Sequence, residues 1–247
     1  MALKTTLNYS PNFNSKKRKP KQIKFIIFHY TGMKKESEAI NRLTDIQSEV
    51  SSHYLIKNNG EILSLVPDLY IAWHAGKSSW KSFKSLNQSS IGIEITNPGH
   101  MFGYKKFSKI QISSLLKLSK FLIKKYKISS KNILGHSDIA PQRKKDPGEK
   151  FPWEYLSKNK IGLWHKLYKK KLIENRKIEI NRKDKDLFFN NLFMIGYSKK
   201  VSKDLNKESF LRDLTKTFQM RFRQELISSK IDRECLLISK SLLKRYN

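Results

Sequence analysis

The chain has 247 residues, of which 38% are hydrophobic, and a formal net charge of +30. This length allows one large domain, or a medium domain with a small one. The charge favours a polyanionic partner such as nucleic acid, anionic lipid or an acidic polymer, although an AT-rich genome would also enrich Lys, Ile and Asn. The single cysteine, Cys235, excludes an intrachain disulfide and a cysteine zinc cluster, and no apolar run is long enough to span a membrane.

Residues 1–22 contain six cationic residues, no acidic residue and no apolar segment of the kind that a signal peptide requires. We interpret them as a solvated basic extension, and the run KKRKPK suggests a nucleic-acid-binding arm as the alternative. A start of this kind predicts a cytoplasmic protein. The periplasm or the cell envelope is the alternative location if the chain is exported by another route.

Between residues 23 and 165, short β-rich runs alternate with segments of helical periodicity. Asn59-Gly60 predicts a tight hairpin turn between two of the strands. This alternation is typical of an α/β domain with a mixed central β-sheet flanked by helices. The predicted strands lie at 23–30, on both sides of the turn within 51–67, at 89–96 and at 132–136, and the predicted helices lie at 37–50 and 107–128.

The sequence changes character after about residue 165. Residues 167–186 are dense in charge and are interpreted as a connector. Residues 187–247 have helical periodicity and no proline, and they predict a small domain of three helices with Cys235 in its core. The predicted organisation is thus the basic extension, an α/β domain at 23–166, the connector and the helical domain.

The segment GHSDIAPQRKKDPGEKFPW, residues 135–153, contains three prolines and two glycines. Proline lacks an amide donor and restricts the residue before it, so the segment predicts an ordered loop rather than a continuous helix. Histidine, aspartate and lysine on such a loop are typical of catalytic groups held by a rigid scaffold. The alternative is a solvated basic loop whose aspartates cap turns.

Two histidines occupy the same position relative to a predicted strand. His29 is near the end of IIFHY, and His136 ends NILGH. If the two strands are neighbours, both imidazoles emerge at one edge of the sheet, where Asp146 from the loop can add a carboxylate. Two nitrogens and one oxygen form a three-ligand zinc site with a fourth position open for water. The alternative is that each histidine is an ordinary polar residue with its own hydrogen bonds.

Such a site needs a base and a positive charge near the oxyanion. Glu94 lies mid-strand between isoleucines, where a carboxylate is costly unless it faces a pocket, and Lys144 lies two residues before Asp146. An exposed glutamate on an edge strand and a solvated lysine are the alternatives. The stretch AWHAGKSSW, residues 72–80, contains two tryptophans that suit a groove for a sugar or peptide, or that fill the core.

Five segments resemble the type-2 zinc-dependent N-acetylmuramoyl-L-alanine amidases in order and form. The segments are FIIFHYTG, SSHYLIKNNGEILSLVPDLYIAWHAG, SIGIEI, GHSDIAPQRKKDPG and FPW, over roughly residues 20–165. The resemblance implies that His29, His136 and Asp146 bind zinc. It also implies that Glu94 is the catalytic acid/base and that Lys144 stabilises the oxyanion. The muropeptide-amidase branch has an aspartate as third ligand, whereas the phage-type branch has a cysteine.

The resemblance also implies roles around the metal. Asp138 would structure the loop, and His53 would line the pocket or support a ligand. The expected substrate-binding residues are Trp73, His74, Ala75, Gly76, Tyr30, Asn97 and Arg143. The C-terminal segments NNLFMIGY, FQMRFR and DRECLLISKSLLKRY resemble the three-helix peptidoglycan-binding module of some of these amidases. The module is very basic and lacks the glycine that often precedes the aspartate matching Asp232, which implies weak or lost wall binding.

The function implied by the resemblance is zinc-dependent hydrolysis of the amide between N-acetylmuramic acid, or its anhydro form, and L-alanine of the stem peptide. This reaction would serve cell-wall turnover or recycling. The expected partners are peptidoglycan or muropeptide fragments, with no nucleic acid and no membrane span, and the protein is expected to be a monomer. The alternative is a metal-free peptidoglycan-recognition protein. Nucleic-acid binding is a third hypothesis, which the charge permits but no recognised motif supports.

Overall fold

The computed structural model describes residues 3–200 and 206–246. Six strands of this part of the chain form a mixed sheet, and four two-residue strands form two separate pairs. In chain order the strands are β1 (Thr6–Leu7), β2 (Phe13–Asn14), β3 (Phe25–Tyr30), β4 (Tyr54–Ile56), β5 (Ile62–Ser64), β6 (Ile71–Ala72), β7 (Ser79–Trp80), β8 (Phe83–Lys84), β9 (Ser90–Ile95) and β10 (Ile133–Gly135). The order in the six-stranded sheet is β1-β5-β4-β9-β3-β10, in which β9, β3 and β10 are parallel neighbours.

Helices cover both faces of this sheet. They are α1 (Glu36–Thr44), α2 (Lys109–Tyr126), α3 (His136–Ile139), α4 (Trp153–Lys158), α5 (Lys169–Glu174), α6 (Arg182–Ile195), α7 (Lys207–Phe222) and α8 (Arg233–Tyr246). On one face, Ile26 and Phe28 of β3 share a core with α2 and α4. On the other face, Phe25 and Ile27 share a core with α6, α7 and α8. Alternate residues of β3 therefore point into different cores, as the two-residue period of a strand requires.

The predicted fold class is confirmed, and so are most of the predicted elements. The hairpin is present because β4 and β5 pair in antiparallel orientation, with Gly60 between them at a φ of +83°. Helix α2 begins after Ser108, whose hydroxyl accepts a hydrogen bond from the Gln111 amide. The predicted helix at 37–50 ends earlier, at Thr44, because Asp45 is extended and caps a separate short turn by accepting from the Gln47 amide.

The prediction of a solvated extension at residues 1–22 is wrong for the part that the structure describes. Strand β1 pairs with β5, and β2 pairs with β6. Arg18 is buried, and its guanidinium donates to the carbonyl oxygens of Asp68 at 2.8 Å and Asn87 at 3.1 Å. Two-residue strands carry too few side chains to show an alternating pattern. Arg18 stands among lysines in the sequence, so nothing there indicates that it is the one buried cation in the described part of this segment. The segment therefore belongs to the fold.

The connector predicted at 167–186 contains structure of its own. It includes α5, in which Leu172 is buried, and the first residues of α6. The hydrophobic core continues from the sheet into the three C-terminal helices, where Cys235 is buried as predicted. Trp80 also lies in this core, beside Tyr197 at a ring-centroid distance of 4.8 Å, which decides in favour of core packing for this tryptophan. No helix among the described residues has the length and apolar character needed to cross a membrane.

Candidate metal centre and catalytic cleft

Three of the predicted site residues lie at the carboxyl ends of three adjacent parallel strands. His29 of β3 stands opposite Glu94 of β9, and Gly135, the last residue of β10, stands opposite Phe28. His136 follows Gly135 and therefore lies at the level of His29. The carboxyl ends of parallel strands are where α/β sheets commonly bind ligands. The prediction that both histidines emerge at one edge of the sheet is confirmed.

Three ligand atoms converge at this edge. The Nδ1 atoms of His29 and His136 are 2.9 Å apart, and each lies 3.0 Å from Oδ2 of Asp146. Zinc bonds of about 2.0–2.1 Å would place tetrahedral ligand atoms roughly 3.3 Å apart, close to the size of this triangle. All three residues are buried. Two imidazole nitrogens and one carboxylate oxygen in this arrangement fit a zinc ion.

The electrostatics of the triad agree with this fit. Burial, and then the neighbouring His136, lower the pKa of His29 to about 4. Burial alone would raise the pKa of Asp146, but His136 and His29 outweigh it and hold that pKa well below its usual range. At neutral pH, His29 is therefore a neutral imidazole and Asp146 a carboxylate, which are the protonation states that bind a metal.

A chain of hydrogen bonds determines which nitrogen of His29 carries the proton. The Ser90 hydroxyl donates to the Leu86 carbonyl at 2.6 Å, so Ser90 Oγ accepts from Nε2 of His74 at 3.1 Å. Nδ1 of His74 then accepts from Nε2 of His29 at 3.0 Å. Because this bond uses the proton of His29 on Nε2, the lone pair on Nδ1 faces the other ligands. His74 thus contacts His29 and does not contribute an atom to the three-ligand cluster.

His136 is oriented in a similar way. Its Nε2 donates to the Ala75 carbonyl at 3.1 Å, which leaves Nδ1 for a metal. Nη2 of Arg143 donates to the same carbonyl at 2.8 Å and to that of Lys77 at 3.0 Å. The turn at residues 75–77 therefore holds both side chains through its backbone. Ala75 is buried, and neither it nor Gly76 belongs to the wall of the cleft, so the substrate-binding role of these two residues stays a prediction.

Glu94 faces the cleft and does not lie on an exposed edge strand. Its Oε2 atom is buried without a hydrogen-bond partner among the described residues. Burial, and then the negative charge of Asp146, raise the pKa of Glu94 to about 8, while Lys144 opposes the shift. A carboxyl group whose pKa lies near neutrality can both accept and release a proton. The side chain is therefore suited to general acid/base catalysis.

The loop at residues 135–153 begins with the short helix α3 and continues mainly as turns. Oδ2 of Asp138 accepts from the Gly135 amide at 2.7 Å, and the Ser137 amide donates to the Asp146 carbonyl at 2.9 Å. These two bonds fix the start of the loop and connect it to the segment that carries the third ligand. The prediction that Asp138 structures the loop is confirmed.

The ligand atoms open into a cleft of about 420 Å³. Most of the predicted catalytic and substrate-binding residues contribute to its wall: Glu94, Lys144, Tyr30, Trp73, His74 and Arg143. Asn97 does not. Its side-chain amide donates to the Lys105 carbonyl at 2.8 Å and accepts from the Gly99 amide at 3.1 Å. Both ends of the amide thus bond to the loop after β9, and the substrate-binding role of Asn97 stays a prediction.

Other residues of the wall were not predicted. Arg42 comes from α1, and His100 and Met101 come from the loop after β9. His100 bonds to the Tyr30 hydroxyl at 2.9 Å and to Glu149 at 2.9 Å, so it links the end of β3 to the loop at residues 135–153. The periodicity at residues 37–50 predicted a helix, but it contained no signal that the end of this helix borders a cleft. The pairing of His100 with distant residues is likewise invisible in the sequence.

The fold and the site together define a class of protein. A mixed sheet, a three-ligand site at its carboxyl edge and a buried acid in an open cleft are the features of a hydrolase active site. Residues 19–149 match the Amidase_2 family, described as N-acetylmuramoyl-L-alanine amidase.

Two relatives extend this match. The chain is 35% identical over 237 residues to the N-acetylmuramoyl-L-alanine amidase AmiD of Escherichia coli (strain K12), with 91% of this chain and 84% of that protein covered. It is 34% identical over 167 residues to the 1,6-anhydro-N-acetylmuramyl-L-alanine amidase AmpD of Haemophilus influenzae (strain ATCC 51907 / DSM 11121 / KW20 / Rd), with 60% of this chain and 88% of that protein covered.

Solved structures agree with these relatives. AmiD from E. coli, in complex with the substrate anhydro-N-acetylmuramic acid-L-Ala-D-gamma-Glu-L-Lys, has a TM-score of 0.78 at 35% identity, covering 91% of this chain and 90% of that chain. AMPDH3 from Pseudomonas aeruginosa has a TM-score of 0.78 at 30% identity, covering 96% and 97%. The chain therefore belongs to the N-acetylmuramoyl-L-alanine amidase family, and it is an enzyme.

Proposed function

We propose that this chain uses one zinc ion to hydrolyse the amide between N-acetylmuramic acid, or its 1,6-anhydro form, and L-alanine of the peptidoglycan stem peptide. The observation that carries the proposal is the convergence of His29, His136 and Asp146 beside Glu94 in one cleft. The anhydromuramoyl peptide bound to AmiD, whose fold this chain shares, supports this bond as the target.

Zinc bound by the two Nδ1 atoms and by Oδ2 of Asp146 would lower the pKa of a water molecule and polarise the scissile carbonyl. Glu94 accepts the proton of the attacking water and delivers it to the nitrogen of the leaving L-alanine. Its burial and its pKa of about 8 suit both transfers. Lys144, in the wall of the same cleft, stabilises the carbonyl oxygen as it becomes negative.

The cleft contains more cations than this chemistry requires, since Arg42, Arg143 and Lys145 also contribute to its wall. Stem peptides carry several carboxylates, and we propose that these cations orient the peptide across the metal centre. The formal net charge of +30 would attract such substrates from a distance. Added salt should therefore raise KM more than it lowers kcat, because salt screens exposed charges more effectively than buried ones.

The test is a mass-spectrometric digest of purified muropeptides. It compares zinc-loaded protein, protein treated with chelator, and the Asp146→Ala variant. We expect free stem peptide only from the zinc-loaded wild-type protein. Parallel digests of intact sacculi and of soluble anhydro fragments will distinguish wall turnover from recycling. Muropeptide binding without cleavage in every sample would instead favour the metal-free recognition function.

A further inference from the structure

The FQMRFR motif of the C-terminal helices is completely enclosed by protein. All six of its residues, Phe218 to Arg223, have exposed fractions of 3% or less. A motif that binds the cell wall directly would need to reach solvent. In this structure the motif instead contacts the core and the loop that carries two of the proposed metal ligands. Its side chains therefore act within the fold.

Arg221 makes the central contact between α7 and this loop. Nη1 of Arg221 forms an ion pair with Oδ2 of Asp138, in which both side chains are almost fully buried. Nη2 donates to the carbonyl of Ile133, the first residue of β10, at 3.1 Å. The guanidinium also lies over the Trp153 ring, 4.1 Å from its centroid. One side chain of the C-terminal helices thus contacts the strand before the loop, the loop itself and the helix after it.

Tyr197, which follows α6, makes a second contact with the same carboxylate. Its hydroxyl donates to Oδ1 of Asp138 at 2.8 Å, and its ring packs against Trp80. Nε2 of Gln224, just beyond α7, donates to the Phe151 carbonyl at 2.7 Å near the end of the loop. The C-terminal helices therefore fix the loop near both of its ends.

Two hydrogen bonds connect these contacts to the proposed metal ligands. Asp138 holds the Gly135 amide, and His136 is the next residue, at the start of the same turn. The Ser137 amide then holds the Asp146 carbonyl. Both carboxylate oxygens of Asp138 are engaged on the side of the C-terminal helices, so a change there alters the support of both ligands.

We propose that the C-terminal helices act as a brace for the metal site, in which Tyr197 and Arg221 are positioning residues for His136 and Asp146. This proposal depends on the proposed metal centre but not on the identity of its substrate. It gives these helices a function that requires no contact with the cell wall. The hydrophobic core that runs through both parts of the chain holds these helices against the sheet.

The test compares Tyr197→Phe with Tyr246→Phe in the full-length protein. Each change removes one buried hydroxyl from the same core, but the Tyr246 hydroxyl has no hydrogen-bond partner among the described residues, whereas that of Tyr197 bonds to Asp138. Zinc affinity is measured by competition with a chromophoric chelator. We expect Tyr197→Phe to weaken zinc binding about tenfold and Tyr246→Phe to change it less than about twofold.

Two further measurements separate positioning from general destabilisation. Amide hydrogen exchange at residues 135–138 should accelerate in Tyr197→Phe but not in Tyr246→Phe. Arg221→Lys retains the positive charge but not the planar guanidinium with its several N–H donors, so it should also weaken zinc binding. Wild-type protein that binds no zinc would overturn the metal centre itself. Zinc affinities and exchange rates that are equal in the wild type and all variants would overturn only the brace.

Discussion

Two clusters of charged side chains among the described residues are built differently. In the C-terminal part of the chain, Arg223 forms an ion pair with Asp232. Arg176 donates two bonds of 2.7 Å to the carboxylate of Glu234, which also lies 3.6 Å from Arg223. Asp232 accepts a further bond from the Lys177 amide at 3.0 Å. Every charge in this C-terminal cluster is in contact with an opposite charge.

The cluster at the carboxyl edge of the sheet is incomplete. Glu94 has a buried oxygen atom without a partner among the described residues, and His29, His136 and Asp146 direct three acceptor atoms at one another. Buried polar atoms that lack a partner cost free energy, so this arrangement needs a ligand to complete it. The complete cluster therefore stabilises the fold, whereas the incomplete one marks the proposed site for metal and substrate.

The largest effect should come from Glu94→Gln. This change preserves the shape of the side chain but removes its capacity to accept a proton from water. Because general acid/base catalysis contributes about 10²–10⁴-fold, we expect kcat to fall by a factor in this range. Zinc content, measured by atomic emission, should remain that of the wild type, since Glu94 is not one of the three ligands. A variant with nearly normal kcat would show that Glu94 is not the base.

A change in the complete cluster should lower the stability of the fold and leave kcat nearly unchanged. Glu234→Gln leaves Arg176 and Arg223 with one buried carboxylate fewer, and breaking a buried ion pair costs about 3 kcal/mol or more of folding free energy. Urea unfolding monitored by circular dichroism measures this loss. At temperatures where the variant is folded, kcat should stay within about twofold of the wild type, because Glu234 lies outside the cleft wall. A loss of kcat without a loss of stability would contradict the division into two clusters.

Sequence reasoning predicted the incomplete cluster better than the rest of the molecule. His29 and His136 lie at the ends of apolar strands, and Glu94 interrupts an isoleucine-rich strand, so their positions follow from local patterns. The two histidines needed the added step that their strands are neighbours, which the pairing of β10 with β3 confirms. The three proposed ligands, with Asp146 from the loop, could therefore be predicted from the sequence.

The residues that support the ligands were harder to predict. Arg221 is separated from Asp138 by 83 positions, and Arg18 from Asp68 by 50, so only the folded chain brings them together. Asn97 is a different case. The family resemblance implies that it binds substrate, whereas in the structure its side-chain amide bonds to the backbone of Lys105 and Gly99. A polar side chain near a site can complete the local backbone or remain available to a ligand, and the sequence does not distinguish these cases.

The pH dependence of stability offers a third test, because it depends on a buried histidine outside both clusters. Burial lowers the pKa of His165 to about 4, below the value of about 6.5 in an unfolded chain. The unfolded state therefore binds the proton more tightly, and this contribution to stability, complete above the unfolded pKa, is lost as the pH falls from about 6.5 to about 4. Between about pH 7.5 and pH 5 the expected loss is about 2 kcal/mol.

The matched control for this contribution is His165→Gln, which cannot be protonated in this range. Urea unfolding at several pH values should show a shallower slope for the variant than for the wild type. Metal-free protein is used for both, so that protonation of the ligands does not contribute differently. Identical slopes would mean that His165 is as accessible to protons in the folded chain as in the unfolded one.

The smallest expected effect concerns His74, which bonds to His29 of the incomplete cluster. His74→Gln should weaken zinc binding about tenfold, because the hydrogen-bond chain from Ser90 would no longer direct the proton of His29 to Nε2. The control is His53→Gln, a change at another buried histidine, whose Nδ1 accepts from the Gly92 amide rather than from a ligand. Chelator competition should show weaker binding for the first variant only. Equal affinities would mean that the strands alone position the three ligand atoms. The hydrogen bond between His29 and His74 would then contribute nothing to zinc binding.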